Sequence, residues 1–191
     1  METEDMKRLA LVIAIALAFA PAVFAQNHGE LGAFFDYTRL ANTSTNFYGV
    51  GGRAGFNVAK HAQLEGEFAY DFQQNLNCSS INHGLTCTSA NTALHIIHAA
   101  FGPKFQAGTK WFRPFFTVKG GLVNFSTSSS FPTQVGQIPH GGGTDAVFYP
   151  GGGVEIYAGP IGIRGEIGDE IWFNNGANHN LRIMVGPQIR F

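Results

Sequence analysis

The stretch that decides the fold is Asn180-Leu181-Arg182-Ile183-Met184-Val185-Gly186-Pro187-Gln188-Ile189-Arg190-Phe191. Leu181, Ile183, Val185, Pro187, Ile189 and Phe191 fall on one face. Arg182, Met184, Gly186, Gln188 and Arg190 fall on the other. An apolar residue at every second position is the signature of a β-strand with one apolar face. The sequence stops on the aromatic residue of that strand, an ending not expected of a soluble β-protein.

Working back from this strand, the same alternation recurs in seven more segments: Glu30–Thr38, Phe47–Val58, His61–Gln73, Ala93–Ala107, Trp111–Phe125, Asp145–Tyr157 and Ile161–Phe173. In the third, Leu64, Phe68, Tyr70 and Phe72 oppose Gln63, Glu65, Glu67 and Asp71. In the fourth, Ile97, Ala99, Phe101 and Phe105 oppose His98, Lys104 and Gln106. The connections alternate in length. Val58–Lys60, Gly108–Lys110 and Gly159–Pro160 read as tight turns. Arg39–Asn46, Gln74–Thr92, Ser126–Thr144 and Asn174–Asn180 read as long or polar connections. Eight strands with short turns at one end and longer connections at the other are the pattern of a membrane barrel.

Cross-strand charge pairs supply a register. A two-residue turn at Gly159–Pro160 sets Glu155 opposite Arg164, and a three-residue turn at Val58–Lys60 sets Arg53 opposite Glu65. Both are opposite charges, as such pairs prefer. A two-residue turn at Gly108–Thr109 would oppose Lys104 and Arg113, so a longer turn is expected there.

Composition sets the environment. The chain has 191 residues, room for one domain, yet only 13% are charged, about half the usual share. Gly (25) and Phe (18) are abundant, and the net charge is −1. No basic face points to nucleic acid. Arg and Glu stand where they can pair, and aromatic residues (Tyr37, Tyr48, Phe72, Phe112, Phe191) stand near segment ends on the apolar face. These features place the apolar face against lipid and the charges in the lumen, with every backbone group paired by closure. A soluble barrel with an apolar cavity is the alternative.

The N-terminus reads as a cleaved secretory signal over residues 1–25. Lys7 and Arg8 precede the apolar Leu9–Phe19, and Val23-Phe24-Ala25 is a small-residue cleavage site before Gln26. The acidic Glu2-Thr3-Glu4-Asp5 is foreign to such a signal, so Met6 is a candidate start. The apolar run is shorter than the ~20 residues of a spanning helix. Export puts Cys78 and Cys87, in one polar connection, in an oxidising compartment, where a disulfide is expected.

The segment over residues 26–191 as a whole resembles the small eight-stranded outer-membrane β-barrels of the OmpA-like transmembrane type. The resemblance implies an all-β, antiparallel, up-and-down transmembrane barrel. It further implies that the Phe191 strand closes the barrel and is read by the barrel-assembly machinery. The chain departs from that type in having nothing after Phe191. No peptidoglycan-binding domain, and so no tether to the cell wall, is expected.

The candidate site residues are charges expected to fill the lumen: Glu65, Glu67, Glu155 and Glu166 with Arg53, Arg113, Lys119, Arg164, Arg182 and Arg190. Glu65 and Glu67 share a face as paired catalytic carboxylates might, but an ion-pair network is the simpler role. His95 and His98 lie three apart, on opposite faces of a strand, and cannot share a metal. His83, His140 and His179 read as loop residues. Lipid A deacylases of this architecture use a late His-x-Ser with a Glu. Here the late histidine gives His179-Asn180-Leu181, without Ser, and Asp169 and Glu170 lack that partner. Gly141–Gly143 and Gly151–Gly153 are not phosphate loops, since no Lys-Ser/Thr follows.

The expectation is therefore a non-enzymatic protein of the cell outer membrane in a Gram-negative envelope. Its role is structural or surface-interacting, with no cofactor and no metal. Outer-membrane lipid and the assembly machinery are its partners, nucleic acid is not, and a monomer is favoured. A narrow porin-like or OmpW-like channel or carrier is the alternative, because glycines on the second, fifth and sixth segments leave room. A lipid A-modifying enzyme comes third.

Overall fold

The computed structural model describes residues 29–41, 46–75, 93–127, 143–174 and 176–191. The expected signal at residues 1–25, the Cys78–Cys87 bridge, His83 and His140 lie outside the described residues. Eight strands follow one another: β1 Gly29–Leu40, β2 Asn46–Ala59, β3 Ala62–Asn75, β4 Ala93–Gln106, β5 Phe112–Thr127, β6 Gly143–Ala158, β7 Ile161–Phe173 and β8 Ala177–Arg190. Each pairs antiparallel with the next, and β8 pairs with β1, so the sheet closes into an up-and-down barrel. At the seam, the backbone of Phe191 exchanges two hydrogen bonds with Gly29, both 3.0 Å. Closure leaves no edge strand, the arrangement that hydrocarbon demands.

Paired positions run around the sheet from Leu31 through Ala54, Gly66, Phe101, Gly120, Phe148 and Ile171 to His179. Leu31 itself pairs with Ile189, so the stagger from His179 to Ile189 is ten residues. Eight strands with that stagger tilt by about 41° and enclose a backbone radius of about 8 Å. Such a bore is filled by side chains.

The alternation holds in three dimensions. Phe35, Phe56, Phe68, Phe101, Ile163 and Ile167 face outward and are exposed, while Asp36, Glu67, His98, Lys119, Glu155 and Arg182 face inward and are buried. Tyr48, Phe72 and Phe112 are exposed on the outer face. The Tyr37 and Tyr48 rings pair with centroids 5.4 Å apart.

The register differs from the sequence expectation at one hairpin. Glu155 does pair with Arg164, across the Gly159–Pro160 turn, where Gly159 adopts φ 69°. Lys104 pairs with Thr117, because residues 107–111 make the longer turn expected there. Arg53, however, pairs with Glu67 rather than Glu65. The turn is Lys60–His61, and an irregularity between Asn57 and Ala59 absorbs one residue, which moves the pairing along by two. The β7–β8 connection is also shorter than expected. β8 begins at Ala177, so His179 sits on a strand and not in a loop.

The glycines of the strands do not open the lumen. A side chain at Gly51 would meet the Phe34 ring, one at Gly55 would meet Gln63, and one at Gly151 or Gly168 would meet the Tyr149 ring. Neighbouring residues already occupy the space these glycines leave, which corrects the expectation that they make room for a solute.

Candidate functional site

The interior is layered along the barrel axis. One end carries the tight turns and the β1–β8 seam residues Gly29 and Phe191; the other carries the longer connections. At the turn end, Lys104 reaches Glu30 and Glu155, both at 2.6 Å, and Arg113 stands 3.5 Å from Glu30. Arg190, at the rim, donates to the Lys110 carbonyl at 3.0 Å and lies over the Tyr157 ring.

The middle layer is the densest. Arg164 donates from both terminal nitrogens to Glu65 and from one to Glu166, and stands 3.5 Å from Glu155. Lys119 bridges Glu67 at 2.5 Å, Glu65 at 2.8 Å and Glu166 at 3.1 Å. Arg53 reaches across to Glu166 at 2.8 Å. Each of these strands contributes its inward positions at period 2, and the stagger brings residues distant in sequence to one level. Glu65 and Glu67 are thus each held by several cationic partners.

Toward the loop end, Arg182 donates to both oxygens of Asp36, to Glu67 at 2.8 Å and to Glu170 at 3.1 Å. His98 lies between Glu170 (Nδ1 to Oε1, 3.0 Å) and Asp71 (Nε2 to Oδ2, 3.2 Å). Above this layer most inward residues are apolar, with Thr38 beside Phe47 and Asn178 beside Trp172 as polar members. Leu40, Phe47, Ile96, Val123, Phe125, Val147 and Trp172 form a buried cluster, with the Phe125 and Trp172 rings edge to face at 4.9 Å.

Of the charges singled out in the sequence, Arg53, Glu65, Glu67, Lys119, Glu155, Arg164, Glu166 and Arg182 are buried in this network, and Arg113 and Arg190 sit at its turn-end rim. Sequence reasoning missed Glu30, Asp36, Asp71, His98, Lys104 and Glu170 as members. Their inward parity was readable; their partners across the bore were not. It missed the apolar layer too. On the outer side, His179 pairs with Asp169 at 2.5 Å, both exposed.

No protein-family model matches the chain, and no curated protein matches it in sequence. Solved structures do match in fold. Ail, the attachment invasion locus protein of Yersinia pestis, is 13% identical with a TM-score of 0.54, over 86% of this chain and 97% of Ail. Neisserial surface protein A is 9% identical at TM-score 0.56, over 86% and 96%. The N-terminal β-barrel domain of Pseudomonas aeruginosa OprF is 14% identical at 0.54, over 87% and 98%. The fold is that of the small eight-stranded outer-membrane β-barrels.

Proposed function

We propose that the protein is an integral outer-membrane barrel with a structural or surface-interaction role, non-enzymatic and without an open channel. The filled lumen carries this reading. Lys104, Lys119, Glu155 and Arg182 are 0% exposed inside it, and an apolar layer covers them at the loop end. A conducting bore needs water and mobile counter-ions; this one holds fixed charges paired with one another across a bore of about 8 Å backbone radius. The apolar exterior suits hydrocarbon. With both ends of the barrel chain in the periplasm, the loop end faces outside. The names of Ail, an attachment invasion locus protein, and of Neisserial surface protein A are in keeping with a surface-interaction role.

Conductance across a planar lipid bilayer tests the reading, with heat-modifiable gel migration as proof of folding. A folded barrel is expected to be silent. Steady, reproducible conductance would replace this reading with the narrow channel, with Arg and Glu as its selectivity residues. The same proposal includes export by residues 1–25 and a bridge between Cys78 and Cys87. In the folded protein both thiols should resist maleimide until a reductant is added; labelling without reductant removes the bridge.

A further inference from the structure

We propose that Asp36, Asp71 and His98 form a divalent transition-metal site inside the barrel. The site follows from the register. Asp36 on β1 pairs with Gly49 on β2, and Gly49 pairs with Asp71 on β3. Two carboxylates therefore flank a position that has no side chain, and a Cβ at Gly49 would collide with Asp71 Oδ1. Asp71 in turn pairs with Ile96 on β4, and His98 is the next inward residue on that strand. One ligand atom from each of the three lies within 4.8 Å of the others, and all three residues are buried.

Three further observations point to a cation. The first is the imidazole's outer partner. His98 Nδ1 is held by Glu170, and Glu170 is itself fixed by the Trp172 indole N–H at 2.9 Å and by Arg182. A carboxylate accepting from Nδ1–H sets the tautomer in which Nε2, 3.2 Å from Asp71 Oδ2, turns its lone pair to the Asp71 side, where a metal would sit. The second is that Asp71 Oδ1 is buried with no hydrogen-bond partner. An unpartnered carboxylate oxygen away from water is costly.

The third is local charge. Arg182 is the cation that reaches Asp36 and Glu170, Asp71 reaches only His98, and Glu67, which also reaches Arg182, is matched by Lys119. With a neutral imidazole two negative charges stand uncompensated. A divalent ion cancels both; a protonated imidazole cancels one. One nitrogen and two carboxylates suit zinc and its first-row neighbours. Phe47, Ile96 and Phe125 are among the apolar residues buried between this layer and the loop end, so the ion enters as the barrel closes.

The test is to refold the chelator-stripped full chain in detergent with Zn2+ or Co2+, remove free metal by gel filtration, and measure what the folded barrel retains. One ion per barrel is expected, with Co2+ giving visible d–d absorption and the ion resisting a chelator until unfolding. Asp71→Asn and His98→Gln, folded by the gel-shift criterion, should lose the ion and the absorption. A folded native barrel that retains no metal overturns the site, and this arm stands even where a variant fails to fold. Equal retention by folded Asp71→Asn and His98→Gln also overturns it, as does an NMR spectrum of zinc-refolded protein in which both His98 ring nitrogens carry protons. The last result would make His98 an imidazolium bridging Asp71 and Glu170.

Discussion

Arg164→Leu is expected to lower the unfolding free energy of the barrel by about 3–5 kcal/mol, the usual consequence of removing one member of a buried ion network. Arg164 is 1% exposed and lies over the Phe115 ring at 4.1 Å. Without it, Glu65 keeps Lys119 at 2.8 Å and Lys104 at 3.8 Å, and Glu166 keeps Lys119 and Arg53. Leucine restores the packing volume but no charge, so the layer becomes net negative where water cannot reach. Urea unfolding of the refolded barrel, followed by the fluorescence of Trp111 and Trp172, measures the loss. Arg190→Leu at the rim is the control and should cost about 1 kcal/mol or less. Equal effects of the two changes would mean that water, and not the paired charges, fills the middle of the bore.

The structure also says which second change should rescue. The hairpin register alone points to reversing Glu155 and Arg164 together. Glu155 is held by Lys104 at 2.6 Å, however, and Arg164 makes its closest bonds to Glu65 and Glu166. The reversed pair would set its arginine against Lys104 and its glutamate against Glu65 and Glu166. Partial recovery is instead expected from Arg164→Leu combined with Glu65→Gln, which removes the charge left stranded.

What was legible in the sequence follows from what alternation encodes. Period 2 in Leu181–Phe191 and in the other segments reveals strands and faces, and the lengths of the connections reveal the two ends. The β6–β7 register was readable because Gly159–Pro160 admits one tight turn. The β2–β3 register was not, because the irregularity near Asn57 leaves no mark on the hydrophobic pattern. The loop-end interior was hidden for a different reason. Leu122–Val123, Val147–Phe148 and Trp172–Phe173 are apolar on both faces, so nothing in the pattern says that Val123, Val147 and Trp172 point inward. The Asp36, Asp71 and His98 cluster needed the stagger of the whole sheet. Parity puts each of them inside; only the pairing through Gly49 and Ile96 puts them at one level.

Phe191→Ala is expected to separate two roles of one side chain. In the folded barrel Phe191 covers Gly29, and its backbone closes the seam through two hydrogen bonds that alanine would keep. The ring is only partly buried, so its loss should cost about 1 kcal/mol in refolding experiments. If the terminal aromatic residue is what the assembly machinery reads, the loss in cells must be far larger than that stability change accounts for. The outer-membrane level of the variant should fall several-fold while the refolded variant still shows heat-modifiable migration. Immunoblotting of outer-membrane fractions beside the urea titration makes the comparison. An unchanged level in the membrane would remove the recognition role. A fall matched by an equal loss of stability in vitro would make Phe191 a seam residue and nothing more. The two readouts diverge only if the residue acts before the barrel exists. The backbone geometry favours that divergence, because the seam's hydrogen bonds do not depend on the ring.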